Sequence, residues 1–313
     1  MCSLFGLIDF KECLSTHTKN KILNTLAREC QVRGTDATGI AYNFNDRLRI
    51  YKRPLPARKM KIHIPHGVNV VMGHTRMTTQ GNAQFNQNNH PFLGHVDGSS
   101  FALAHNGVLW NDKELRIEEN LPLTSVETDS YVAVQLLEKS KTLDFDSLKS
   151  MAEAVEGSFV FTVLDKDNSI WFIVGDNPLC MMFYDGYLIY ASTQEILCKA
   201  IKKLRLKAPT DILEPKEGEI LKIDRNGRIT TGAFAPRTSY EHWWRRYSPY
   251  YRDFCVDTPP NYDDLFNVAK AFGVTADEVQ ALLDYGCSEE EIEEMLYDPT
   301  LLHEMTGELL YAY

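Results

Sequence analysis

Apolar positions in the first 235 residues alternate between a period of two and a period of three to four. Leu4, Phe5, Leu7 and Ile8 form a short run that ends at Asp9, so residues 2–10 read as a buried strand. Ile22, Leu23, Leu26, Ala27 and Cys30 recur at helical spacing, which predicts a helix over 17–31. Strands are expected at 39–44 and 47–53, and Val68–His74 is another apolar run that ends in a polar cluster. A long polar loop, rich in Asn and Gln, spans Thr75–Pro91. Phe101–His105 reads as a strand, and Asn106-Gly107 after it is a tight-turn signal. Helices are expected over 111–120, 128–139 and 146–155, then strands at 158–165, 170–175, 180–184 and 187–191. A short helix at 193–203 and strands at 219–223 and 228–231 close the body.

Many strands, short turns such as Asp185-Gly186 and Asn226-Gly227, and few intervening helices predict antiparallel sheets with helices outside, an α+β layered architecture. The pattern then changes. Pro236, Pro249, Pro259 and Pro260 break regular structure, and Trp243, Trp244, Tyr247, Tyr250, Tyr251 and Phe254 interleave with Arg245, Arg246 and Arg252. Such interleaving can stack nucleic-acid bases, but a connector packed on the body is the favoured reading of 236–261. Residues 262–313 read as two or three short helices with apolar stripes at Leu265, Phe266, Val268 and Ala269, at Val279, Leu282 and Leu283, and at Ile292, Met295 and Leu296.

Charge sharpens that division. The chain of 313 residues carries a net charge of −10, and from Tyr262 onward there are thirteen Asp/Glu against the single Lys270. The body is therefore nearly neutral and the tail strongly acidic, the wrong sign for a nucleic-acid arm. No apolar run reaches membrane-span length, and the start lacks a signal-peptide pattern. Seven cysteines without CxxC pairing argue against a disulfide framework or zinc ribbon and place the chain in a reducing cytoplasm. His63 and His66 lack the further ligands a metal site needs. No cofactor, metal, membrane or nucleic-acid partner is expected.

Cys2 follows Met1. Removal of the methionine would give one residue both a thiol and a free α-amine. Such an amine ordinarily titrates at roughly 7.7–8.0, so it can accept a proton near neutrality. Three further segments bear on it: Gly73-His74-Thr75-Arg76-Met77-Thr78-Thr79-Gln80-Gly81, His105-Asn106-Gly107-Val108, and Glu127-Thr128-Asp129. With Cys2, Gly6 and the loop Arg33-Gly34-Thr35-Asp36-Ala37-Thr38-Gly39, their order and spacing resemble the class II glutamine amidotransferases over roughly residues 2–200.

The resemblance implies a four-layer αββα sandwich of the N-terminal-nucleophile hydrolase type, over 2–235. It implies that Cys2 attacks the side-chain amide of L-glutamine to give a γ-glutamyl thioester and ammonia, with Asn106 and Gly107 as the oxyanion hole. Arg76 would clamp the α-carboxylate and Asp129 the α-ammonium, with Thr79 in the same loop and Arg33 and Asp36 as supports. Taken alone, Asn106-Gly107 reads as a hairpin turn, Asp129 as a helix N-cap and Arg76 as a surface salt bridge. Three positions depart from the family pattern: Ser3, Met77 and Gln80. No synthase motif is recognisable after the glutaminase region, so a separate synthase or ligase partner is expected to take the ammonia. The alternatives are an amidase for another amide, such as a γ-glutamyl compound, or a catalytically idle scaffold that binds partners.

Overall fold

The computed structural model describes residues 2–237 and, further on, 265–266, 269–270, 272–285, 292, 295–296, 302 and 306. The chain divides into two compact units, Met1–His242 and Trp243–Tyr313.

The first unit is built on two antiparallel sheets. The strands are β1 (Ser3–Ile8), β2 (Ala37–Phe44), β3 (Arg47–Arg53), β4 (Val70–Arg76), β5 (Phe92–Val96), β6 (Ser99–Leu109), β7 (Gly157–Leu164), β8 (Ile170–Val174), β9 (Cys180–Tyr184), β10 (Tyr187–Ala191), β11 (Asp211–Leu213), β12 (Glu219–Ile223) and β13 (Ile229–Ala233). The seven-stranded sheet runs β11-β9-β10-β1-β4-β2-β3, and the six-stranded sheet β13-β12-β8-β7-β6-β5. The helices are α1 (Thr16–Cys30), α2 (Asp112–Glu118), α3 (Tyr131–Ser140), α4 (Phe145–Ala154) and α5 (Gln194–Leu204).

Three apolar cores make this an αββα stack. Leu4 and Ile8 of β1 join Met72, Ala104, Val160 and Phe172 between the sheets. Phe5 and Leu7, on the opposite face of the same strand, pack with Ile22, Leu26 and Leu197 of the helices α1 and α5. Leu103, Phe161 and Trp171 meet Val132, Leu137 and Leu148 of α3 and α4 on the other side. β1 is buried on both faces, which is why its sequence reads as a continuous apolar run rather than an alternation. Side-chain caps start three of the helices: Ser15 accepts from the Thr18 N–H, Asp144 and Ser147 form a capping box, and Thr193 accepts from the Ile196 N–H. A buried ion pair, Lys19 to Asp9 at 2.9 Å, fixes the turn after β1, where Asp9 also accepts the N–H groups of Cys13 and Leu14.

Two readings of local sequence taken alone fail here. Asn106-Gly107 is no turn: β6 continues through it, with Asn106 opposite Val160 and Gly107 opposite Phe159. Gly107 has φ +147°, and a Cβ there would lie 1.8 Å from the Ser158 carbonyl oxygen, so glycine serves a close strand approach instead of a reversal. Asp129 is not the cap of α3. Ser130 holds that position, and the Asp129 carboxylate accepts the N–H of Leu109 at 2.7 Å. The edge strands β5 and β11 were not anticipated by the pattern.

In the second unit, α6 (Ala276–Tyr285) is preceded by Thr275, whose N–H and hydroxyl both donate to the Glu278 carboxylate. Leu265, Ala269, Val279, Leu282, Ile292 and Leu296, drawn from all three stripes, share one small core. Val268 lies outside the described residues, as do the connector aromatics Trp243, Trp244, Tyr247, Tyr250, Tyr251 and Phe254.

Candidate active site

Register puts the first two candidates side by side. Ser3 of β1 pairs with Thr75 of β4, so Cys2 and Arg76 come one step further along at the same end of the sheet. Cys2 is buried, and its thiol donates to the Met77 carbonyl at 3.4 Å. Burial pushes the thiol above its ordinary value, and the nearby Asp129 charge adds to this while Arg76 opposes it. A thiol held up in this way stays protonated near neutrality and needs a base before it can attack.

The supporting loop is close by. The Arg33 Nε donates to the Cys2 carbonyl at 3.0 Å. Asp36 accepts the Thr78 N–H at 2.8 Å and donates its own N–H to the Arg76 carbonyl at 2.9 Å. Gly34 lies so close to the Arg76 backbone that a Cβ would fall 2.5 Å from the Arg76 carbonyl carbon.

Arg76 is no surface residue. It is 3% exposed; Nη1 donates to Asn89 Oδ1 at 2.8 Å, and Nη2 to the carbonyls of Gln80 and Gly81. These bonds use three of the five guanidinium N–H groups. They also fold residues 77–81 around the guanidinium. Thr79 sits on that loop and is exposed.

Asn106 and Gly107 come from the other sheet. The Asn106 side chain is 1% exposed, and neither its Nδ2 nor its Oδ1 has a hydrogen-bond partner among the described residues. A buried amide left unpaired costs stability, so its presence calls for a reason. Its backbone carbonyl is held by Asn177 Nδ2 at 3.2 Å. The Leu109 N–H points to Asp129, and by the two-residue period of a strand the N–H of Gly107 faces the same side.

Two buried contacts join these pieces. His74 Nε2 donates to the His105 carbonyl at 2.9 Å, linking β4 to β6. His105 Nδ1 lies 2.7 Å from the Ser130 hydroxyl, linking β6 to the start of α3, and Ser130 also approaches Asp129 Oδ1 at 3.4 Å. His74 is pushed down to about 3 by burial, so it is a neutral donor. The sequence pattern alone does not single out Asn88, Asn89, Ser130 or the use made of Glu127; the Asn-rich loop and the residues flanking Asp129 are the signals it offers.

A family profile described as a glutamine amidotransferase domain matches residues 74–199, a span that holds Arg76, Thr79, Asn106, Gly107 and Asp129. The chain carries a class II glutamine amidotransferase domain. Among its relatives is a glutamine–fructose-6-phosphate aminotransferase (isomerizing) of Sulfurisphaera tokodaii, 31% identical over 243 residues, covering 71% of this chain and 40% of that protein. A protein of the same description from Staphylococcus epidermidis is 27% identical over 262 residues, covering 78% and 42%. The chain thus spans about two-fifths of the length of these curated relatives. A solved glutamine phosphoribosylpyrophosphate amidotransferase from B. subtilis shares the amidotransferase fold. Its TM-score is 0.59 at 21% identity, over 75% of this chain and 49% of that one. No helix among the described residues is long and apolar enough to cross a membrane.

Proposed function

We propose that the amidotransferase domain hydrolyses L-glutamine with Cys2 as the nucleophile, once whatever precedes Cys2 has been removed and its α-amine is free. The amine takes the thiol proton, and sulfur attacks the side-chain amide carbon. The resulting oxyanion is met by the Asn106 Nδ2–H and the Gly107 N–H. Collapse of the tetrahedral intermediate breaks the C–N bond, and the proton passes from the amine to the departing ammonia. Water then cleaves the γ-glutamyl thioester to glutamate and restores the thiol.

Arg76 binds the α-carboxylate with the N–H groups left over from its loop contacts, and Asp129 accepts from the α-ammonium. Thr79 lines the loop above them, and Arg33 and Asp36 hold Cys2 and the loop in place. The observation that carries this reading is the buried side chain of Asn106, unpaired among the described residues, on the sheet facing that of Cys2 and Arg76.

Ammonia goes to an acceptor supplied by a synthase or ligase, either on a separate chain or in a further domain. The relatives support this, since most of their length lies beyond the match and their name specifies transfer to fructose 6-phosphate. Residues 2–235 form the glutaminase domain in this reading. The connector 236–261 and the acidic segment 262–313 serve the partner. A reducing cytoplasm keeps the nucleophile as a thiol.

A glutaminase assay on the mature chain tests this. Release of glutamate and ammonia that is lost in both Cys2→Ala and Asp129→Ala supports it. Activity confined to another γ-glutamyl amide favours a different amidase, and activity on neither leaves a binding scaffold.

A further inference from the structure

Residues 88 and 89 are neighbouring asparagines, both 0% exposed, in a loop that is otherwise largely solvent-facing. Their side chains point to different halves of the site. Asn89 Oδ1 accepts from Arg76 Nη1 at 2.8 Å, while its Nδ2 is anchored on the Ala83 carbonyl at 2.7 Å. Asn88 makes a reciprocal pair with Glu127: its Nδ2 donates to Glu127 Oε2 at 2.7 Å, and its Oδ1 accepts the Glu127 N–H at 2.9 Å. Glu127 Oε2 also accepts the Asn82 N–H at 3.2 Å, and Asn88 Nδ2 donates to the Asn82 carbonyl at 3.0 Å. Two residues beyond Glu127 is Asp129.

We propose that Asn88 and Asn89 are a pair of positioning residues that set the spacing of the two substrate anchors. Asn89 does so by orienting the Arg76 guanidinium, and Asn88 by fixing, through Glu127, the segment that carries Asp129. The inference rests on the glutaminase reading above. Its physical content is that the carboxylate and ammonium of a free amino acid lie at a fixed separation. Two anchors from different elements match that separation only if a rigid piece spans them. The pair spans them through one peptide bond. Lys52 holds this backbone from outside, donating to the carbonyls of Asn89 and Pro91.

Neither asparagine touches the reacting atoms, so each acts on one end of the substrate. Asn89 variants should lose recognition of the α-carboxylate, and Asn88 variants recognition of the α-ammonium. The test measures kcat/KM and KM for glutamine, for its α-amide (no carboxylate) and for 4-carbamoylbutanoate (no amine). The enzymes are the parent protein and the variants Asn89→Ala and Asn88→Ala, with the near-isosteric Asn89→Asp and Asn88→Asp as forms that keep the packing. In the first of these a carboxylate competes with the substrate for Arg76, and in the second it repels Glu127.

Asn89 variants are expected to raise KM for glutamine roughly tenfold or more, with kcat little changed, and to lose far less on the α-amide. Asn88 variants are expected to show the same penalty on glutamine and to lose far less on 4-carbamoylbutanoate. Equal losses on all three substrates, in variants of a parent that does hydrolyse glutamine, would overturn the proposal and reduce the pair to loop packing. A parent inert toward all three would overturn the reading of the site, and this inference with it.

Discussion

The Nε2–H of His74 meets the main-chain carbonyl of His105 at 2.9 Å, so one buried hydrogen bond fastens the two sheets to each other beside the site. The residues on either side of that bond carry the proposed chemistry: Arg76 is two positions beyond His74, and Asn106 is next to His105. His90 lies against His74 with ring centroids 4.2 Å apart, and neither of its ring nitrogens has a partner among the described residues.

These buried rings predict acid sensitivity. His74 is pushed down to about 3 and His90 well below the ordinary 6.5, in both cases first by burial. Below pH 6.5 the unfolded chain takes up protons that the folded rings refuse. Stability is therefore whole above that value and falls as pH drops toward the folded pKa, by up to about 1.4 kcal/mol per pH unit for each ring. Urea midpoints measured between about pH 7.5 and pH 5 check this. His90→Phe, which breaks no side-chain hydrogen bond among the described residues, should keep its stability at the upper pH and lose less at the lower. An unchanged slope in that variant contradicts the assignment.

Asn106 separates catalysis from stability. Its amide makes no protein hydrogen bond among the described residues that a substitution could break. Asn106→Ala should lower kcat by ~10²–10³, the usual cost of an oxyanion donor, while the unfolding midpoint stays near that of the parent. Steady-state kinetics beside a denaturation curve decide the point. A large loss of stability with kcat preserved would make Asn106 a packing residue.

Asp9 and Lys19 predict the opposite behaviour. Removing one partner of this buried pair strands a charge and frees the N–H groups of Cys13 and Leu14. Asp9→Ala should cost about 3–5 kcal/mol in equilibrium unfolding, with per-molecule activity retained by whatever fraction folds. The exposed pair Lys11–Asp185, by contrast, should leave the midpoint unchanged when Lys11 is replaced.

The elements that were readable from the sequence are those in which one local period decides the outcome. β1 and α1 needed only their apolar spacing, and the family motifs brought Cys2, Arg76, Asn106, Gly107 and Asp129 into one hypothesis. What was misread depended on distant partners. Asn-Gly is a strong local hairpin signal, yet the Ser158 carbonyl and the register with β7 hold Asn106-Gly107 in a continuous strand. Asp129 has the composition of an N-cap, but the Leu109 N–H, twenty residues away, takes its carboxylate. β5 pairs along one edge only, with Phe92 and Gly94 inward, too short an alternation to stand out before the fold is known. The Asn88–Glu127 pair crosses 39 positions of sequence and leaves no periodic trace.

The central claim is that Cys2, with its α-amine free, is the nucleophile. The most direct measurement is to treat the mature protein with a diazoketone analogue of glutamine and map the product by intact mass and peptide sequencing. A single covalent adduct on Cys2 is expected, with Cys2 as the first residue of the modified peptide, and no adduct in Cys2→Ala. An adduct on another cysteine, or labelling of Cys2 with a residue still attached to its amine, would contradict it.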